Sequence, residues 1–112
     1  MTYRLNGHVL PLGSVSTGTL RTEDLLLAFC NEFHKYVTPV PEYVIEAECW
    51  LEGDKETIYS EWSEDTRWED IGTELVGTLL ENLSSIAPEG TTFASLPGDG
   101  SDFGWWETSD AE

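Results

Sequence analysis

Twenty-two Asp and Glu residues stand against five Lys and Arg in this 112-residue chain, a formal net charge of -17 at pH 7. An ionised carboxylate buried without partners is too costly to keep, so nearly all of these side chains must end at the surface. That requirement limits which face of each element can enter a core. The material left for the core includes five Trp, four Tyr and four Phe, and the chain has the length and apolar content of one ordinary domain.

The acids are unevenly placed. Residues 1–22 hold Arg4 and Arg21 and no acid, whereas residues 42–74 hold twelve acids against Lys55 and Arg67, a local charge of -10. Solubility or life at high salt would spread the charge more evenly. Direct nucleic-acid binding is disfavoured, because counterion release needs clustered cations on the protein. An anionic membrane surface repels the chain for the same reason. A basic groove on another macromolecule would attract it over a Debye length of about 8–10 Å.

No apolar run approaches the roughly 18 residues that cross a bilayer, and the start lacks the blocks of a secretory signal. A cytoplasmic protein is expected, with Cys30 and Cys49 as reduced thiols.

Local patterns suggest the elements. Asn6-Gly7 between short apolar runs is a hairpin signal. Residues 14–20 are rich in Ser, Thr and Val and read as a strand. Thr22 offers an N-cap to a helix whose Leu25, Leu26, Phe29, Phe33 and Tyr36 recur at three- and four-residue spacing. Pro39 and Pro41 end it.

Residues 42–62 admit two readings. Tyr43, Ile45, Ala47, Cys49 and Leu51 alternate as in a strand, while Tyr43, Ala47 and Trp50 fit a helix entered through Pro41. The alternation tips the reading to β, with Gly53-Asp54 turning into a second strand over 57–62. Ile71, Leu75, Leu79 and Leu83 then mark a second helix, weakened by Gly72 and Gly77. Residues 91–96 and 103–106 read as strands joined by Pro97-Gly98-Asp99-Gly100-Ser101-Asp102. The expected architecture is α+β, with two helices packed on a small antiparallel β-sheet in a single domain over residues 1–106, and a flexible acidic tail over 107–112.

No motif for catalysis stands out. The serines lack a nucleophile elbow, no phosphate-binding glycine loop with a Lys is present, and so many carboxylates single out no acid and base pair. Cys30 and His34 share a helix face, yet the paired spacing of a zinc site is missing, and the 99–102 segment lacks the later ligands of a calcium loop. No metal, no cofactor and no enzymatic activity is expected.

Residues 87–106, APEGTTFASLPGDGSDFGWW, together with residues 17–25, TGTLRTEDL, resemble a family of small acidic proteins of phages, plasmids and other bacterial mobile elements. Members of that family end in AP, an aromatic-rich strand and PGDGxDFGxW; here Thr91, Thr92 and Ala94 replace bulkier strand residues. The resemblance implies a mobile-element origin and supplies no catalytic residue. Small acidic proteins of that setting often resemble nucleic-acid mimics.

These readings lead to an expected function: a non-enzymatic inhibitor that mimics nucleic acid and occupies the basic channel of a host defence nuclease, of anti-CRISPR or anti-restriction type. Glu46, Glu48 and Glu52 on one strand, with Glu56 and Glu61 on its neighbour, would repeat at about 6.6–6.8 Å, near the spacing of every second phosphate along one DNA strand. The candidate surface comprises Glu46, Glu48, Glu52, Asp54, Glu56, Glu61, Trp62, Glu64, Asp65, Trp68, Glu69 and Asp70, its two Trp residues serving as anchors. A second candidate surface comprises Asp99, Asp102, Trp105 and Trp106. The expected partner is a basic nucleic-acid-binding protein, and the chain itself is a monomer or small homodimer. Alternatives are an antitoxin or immunity protein capping a basic toxin and, more remotely, a small hydrolase or metal-binding protein.

Overall fold

A computed structural model describes residues 3–96 and 98–108, with Asp99 described by its backbone only. The chain runs β1 (Tyr3–Leu5), β2 (His8–Leu10), β3 (Gly13–Ser16), α1 (Thr22–Tyr36), α2 (Glu42–Glu52), α3 (Lys55–Glu61), α4 (Trp68–Ile86), β4 (Thr91–Leu96) and β5 (Asp99–Glu107). The fold is α+β, with four helices and two small antiparallel sheets among the described residues. Pro97 and residues 109–112, most of the expected tail, lie outside the described residues.

Asn6 and Gly7 both take positive φ, 52° and 84°, the geometry a tight two-residue hairpin demands. They join β1 to β2 as the sequence suggests. The Asn6 amide also donates to the Tyr36 carbonyl at 2.6 Å, filling one of the acceptors left open at the end of α1. β3, β5 and β4 form the second sheet in that order. β3 is shorter than the 14–20 pattern implies, ending at Ser16.

Thr22 is the first residue of α1 and not its cap. The turn before the helix is held instead by Thr19, whose hydroxyl donates to Asp24 at 2.8 Å and accepts from the Arg21 amide at 3.1 Å. The apolar stripe of α1 is buried as its spacing predicts. Phe29 meets Phe93 of β4 and Phe103 of β5 edge-on, at 5.3 and 5.5 Å between ring centres. Trp105 fits between Phe93 and Tyr36.

The principal correction concerns residues 42–62, which form two helices and no strand. Val44, Ala47 and Trp50 are the buried side of α2, whereas Ile45, a member of the alternating set, is 51% exposed. A three-residue rhythm therefore outweighs the two-residue one. Gly53 ends α2 at φ 76° with its amide bonded to the Cys49 and Trp50 carbonyls, a left-handed helix end that favours glycine. Asp54 then caps α3, so the Gly-Asp pair turns a corner between helices.

Ile71, Leu75, Leu79 and Leu83 form the buried side of α4 as expected. Gly72, a poor helix former, has a packing reason: a Cβ there would lie 2.5 Å from the Trp50 ring and 2.8 Å from the Thr22 methyl group. α2 packs on α1 and α4, and α3 packs on α2. The sheet reaches α1 through β3 and α4 through β4.

Candidate functional site: an acidic helical arm

The twelve acids of residues 42–74 lie on α2, the Gly53-Asp54 corner, α3, the 62–67 loop and the start of α4. Many have local work. Glu42, Glu56, Glu69 and Asp70 sit in the first turns of their helices, where the dipole favours an anion. Asp54 accepts from the Thr57 amide at 3.2 Å and the Thr57 hydroxyl at 2.7 Å. These bonds, the hydroxyl one foremost, hold its carboxyl below the usual range. Glu46 accepts from the Trp62 indole N–H. Glu48 meets His34 of α1 at 2.7 Å.

Glu52, Glu61, Glu64, Asp65 and Glu74 have no such work. Glu52 and Glu61 are the last residues of α2 and α3, where the helix presents roughly half a negative charge and a carboxylate is disfavoured. No basic residue occupies the last turn of α2, α3 or α4. The two local cations give little relief: Arg67 reaches Glu69 at 3.8 Å with both side chains about three-quarters exposed, and Lys55 lies over the Trp68 ring at 5.9 Å. Among the described residues no cation pairs with Glu42, Glu52, Glu56, Glu61, Glu64, Asp65, Asp70 or Glu74.

The two expected tryptophan anchors are occupied within the fold. Trp68 is half-buried and stacks on Trp50 with ring centres 5.4 Å apart and planes at 11°. The Trp50 indole donates to the Trp68 carbonyl at 2.9 Å. Trp62 is half-buried against Glu46. The Tyr59 hydroxyl donates to the Thr66 carbonyl at 2.9 Å, and the Asp65 amide donates to the Ser63 hydroxyl at 3.2 Å. The loop presenting Glu64 and Asp65 is thus held by Tyr59 of α3 and by its own Ser63, and the acids are offered from a preset backbone.

A groove of about 260 Å³ runs between α2 and α3, lined by Glu42, Ile45, Glu46, Cys49, Thr57 and Glu61. Burial first, and then the fields of Asp54, Glu52, Glu48 and Glu46, push the Cys49 thiol above its ordinary value. Cys30 is buried, its thiol pushed up to about 12 mainly by desolvation. Neither sulfur is an activated nucleophile, since reactivity follows the thiolate. The described residues contain no group of three or more His, Cys, Asp and Glu side chains placed to hold a metal ion, and no helix long and apolar enough to cross a membrane.

The second expected surface is assembled differently from its sequence reading. Trp105 is 1% exposed, and Trp106 on the other face is half-buried with its indole bonded to the Ala94 carbonyl at 2.8 Å. Asp102 is half-buried, with one carboxylate oxygen lacking any partner. The Asp99 side chain lies outside the described residues.

One polar centre went unseen in the sequence. Glu32 of α1 is 4% exposed, accepts from the Trp105 indole at 3.0 Å and from Lys35 at 2.8 Å, and lies beneath a cleft of about 210 Å³ that Pro11, Ser14 and Val15 help to line. Its signal was present: Glu32 lies three residues after Phe29 and four before Tyr36, inside the apolar stripe. Comparison with protein-family models, with curated proteins and with solved structures finds no match to the chain.

Proposed function

We propose that this chain is a binding protein whose acidic arm, formed by α2, α3 and the start of α4, occupies the basic nucleic-acid channel of another protein. The observation that carries the reading is the placement of Glu52 and Glu61 at helix ends, where they oppose the dipole and meet no cation. Acids placed where folding disfavours them point to a use other than stability. The helix breaks the expected strand row, turning Glu46 and Glu48 about 200° apart. Acids one helical turn apart, such as Glu48 and Glu52, rise about 6.0 Å, near the roughly 6.8 Å that separates every second phosphate along a DNA strand axis.

A nuclease channel lined by Lys and Arg would meet these acids through charge-assisted hydrogen bonds, with association accelerated by long-range attraction. On this reading the chain acts by blocking its target in a bacterial cytoplasm, as an inhibitor carried by a phage or other mobile element. Capture from host lysate at low salt, followed by a salt titration, tests it. The expected result is retention of a nucleic-acid-binding protein that DNA or RNA displaces and that salt releases. A variant with Glu52, Glu61, Glu64 and Glu74 changed to Gln and Asp65 to Asn should fold and lose the partner. Equal retention by this variant would eliminate charge mimicry; a captured toxin with no nucleic-acid channel would instead favour an antitoxin role.

A further inference from the structure

We propose that the free edge of β3 is a pairing surface for a second copy of this chain, forming a symmetric dimer in which the two β3 strands run antiparallel side by side. The inference is independent of the acidic arm. β3 is an outer strand of its sheet, and its residues Gly13, Ser14, Val15 and Ser16 carry no charge. None of the four makes a hydrogen bond outside its ladder with β5 among the described residues. Exposed sheet edges left without charge or cover are templates for another strand, and β3 has only its shortness and a bulge between Ser14 and Ser16 as protection. The opposite edge differs: Thr92 of β4 is tied to Ser84 of α4 at 3.2 Å, and the Trp106 indole covers the Ala94 carbonyl.

Space and apolar surface are available beside β3. An open cleft of about 430 Å³ lies between the strand and α1, lined by Val15, Ala28, Asn31, Glu32 and Lys35. Three of the five exposed large hydrophobic side chains among the described residues, Val9 at 53%, Leu12 at 39% and Leu20 at 65%, fall within residues 9–20 and bracket the strand. Antiparallel pairing about a two-fold axis brings the Leu12 end of one strand towards the Leu20 end of the other, so the patch is self-complementary.

Charge selects the occupant. Residues 3–22 contain no acid, which makes this the side by which two copies of charge -17 can approach. On α1 the acids facing this side are engaged, Glu32 by Lys35, Glu23 by Arg21 at 3.9 Å and Asp24 by Thr19, and Asp102 of the neighbouring strand β5 is half-buried. An uncharged strand suits such a rim, and the chain supplies one itself. A basic partner has the acidic arm to prefer.

The sign of the salt effect separates this contact from the proposed function. Repulsion between two copies acts over a Debye length of about 30 Å at about 0.01 M salt and about 3 Å at about 1 M, so salt should strengthen the dimer while it releases a partner from the arm. Sedimentation velocity of the full chain over a range of concentrations at both salts is the test, with Leu20→Asp, Ser14→Lys and, as a control on α2, Ile45→Asp. The expected result is a dimer at high salt, weakened by about tenfold or more at low salt, lost in Leu20→Asp and Ser14→Lys, and kept in Ile45→Asp, all with native circular dichroism. A monomer at both salts, open-ended assembly, or a dimer that survives Leu20→Asp overturns the proposal.

Discussion

Glutamate is used in opposite ways on the two sides of this molecule. Beneath the sheet, Glu32 is buried and both of its oxygens are engaged, one by the Trp105 indole and one by Lys35. On the arm, Glu52, Glu61 and Glu74 are exposed and unpaired. Each indole finds a different solution to match. Trp105 gives its N–H to a buried charge, whereas Trp50 gives its N–H to the Trp68 backbone and stacks on the Trp68 ring. One side uses a carboxylate to complete a core; the other uses an aromatic stack to leave its carboxylates free. The contrast teaches that an acid's environment, and not the overall charge, tells a structural acid from a candidate binding one.

The largest effect that could break this comparison is at Glu32. Glu32→Leu orphans the Trp105 N–H in the core and leaves Lys35 unpaired, with an expected loss of about 2 kcal/mol. Glu32→Gln keeps an acceptor for the indole and should lose clearly less. Urea unfolding of both variants checks the ordering. Equal stability of Glu32→Leu and the native chain would mean that the indole finds another partner, and that Glu32 belongs with the exposed acids.

A smaller effect, of opposite sign, is expected on the arm. Removing a carboxylate from the negative end of a helix should stabilise, so Glu52→Gln and Glu61→Gln are each expected to gain about 0.3–1 kcal/mol. Thermal unfolding at low and high salt checks this, since screening should shrink the gain. Variants that gain stability while losing the arm's partner would sharpen the distinction. A loss of stability in both would show these acids to be structural after all.

The α+β class, the Asn6-Gly7 hairpin and the apolar stripes of α1 and α4 were legible because each rests on a local rule of turn geometry or helical spacing. The arm was not. In residues 42–52 both rhythms are present, and what decides between them is the distant surface of α4, where Gly72 makes room for Trp50. The Gly53-Asp54 pair misled for a related reason, since a left-handed glycine followed by a capping acid serves a hairpin or a helix corner equally well in sequence. The acidic region was recognised from charge alone, but which of its acids are spent on helix starts depended on where those helices begin. Glu32 was masked by its abundant kind: among twenty-two acids, one buried at a helical position is visible only when its place in the apolar stripe is counted.

The smallest expected effect lies at the corner between α2 and α3, where acidification should weaken the cap of α3. Asp54 holds Thr57 through its amide and hydroxyl, and its folded carboxyl titrates below the ordinary value. A depressed folded value means that its stabilisation is fully present above the unfolded value, about 3.9, and is lost as the pH falls through the lower folded one. Asn caps a helix about as well as Asp but does not titrate. The stability difference between the native chain and Asp54→Asn should therefore be flat above about pH 5 and shift against the native chain below about pH 4. Thr57→Val should remove much of that slope, because the hydroxyl bond is the first cause of the shift. The difference between the paired variants isolates this effect from the rest of the chain. Parallel curves for the native chain and Asp54→Asn would remove the cap from the account of this corner and leave the Gly53 turn alone to set the angle at which the arm presents its acids.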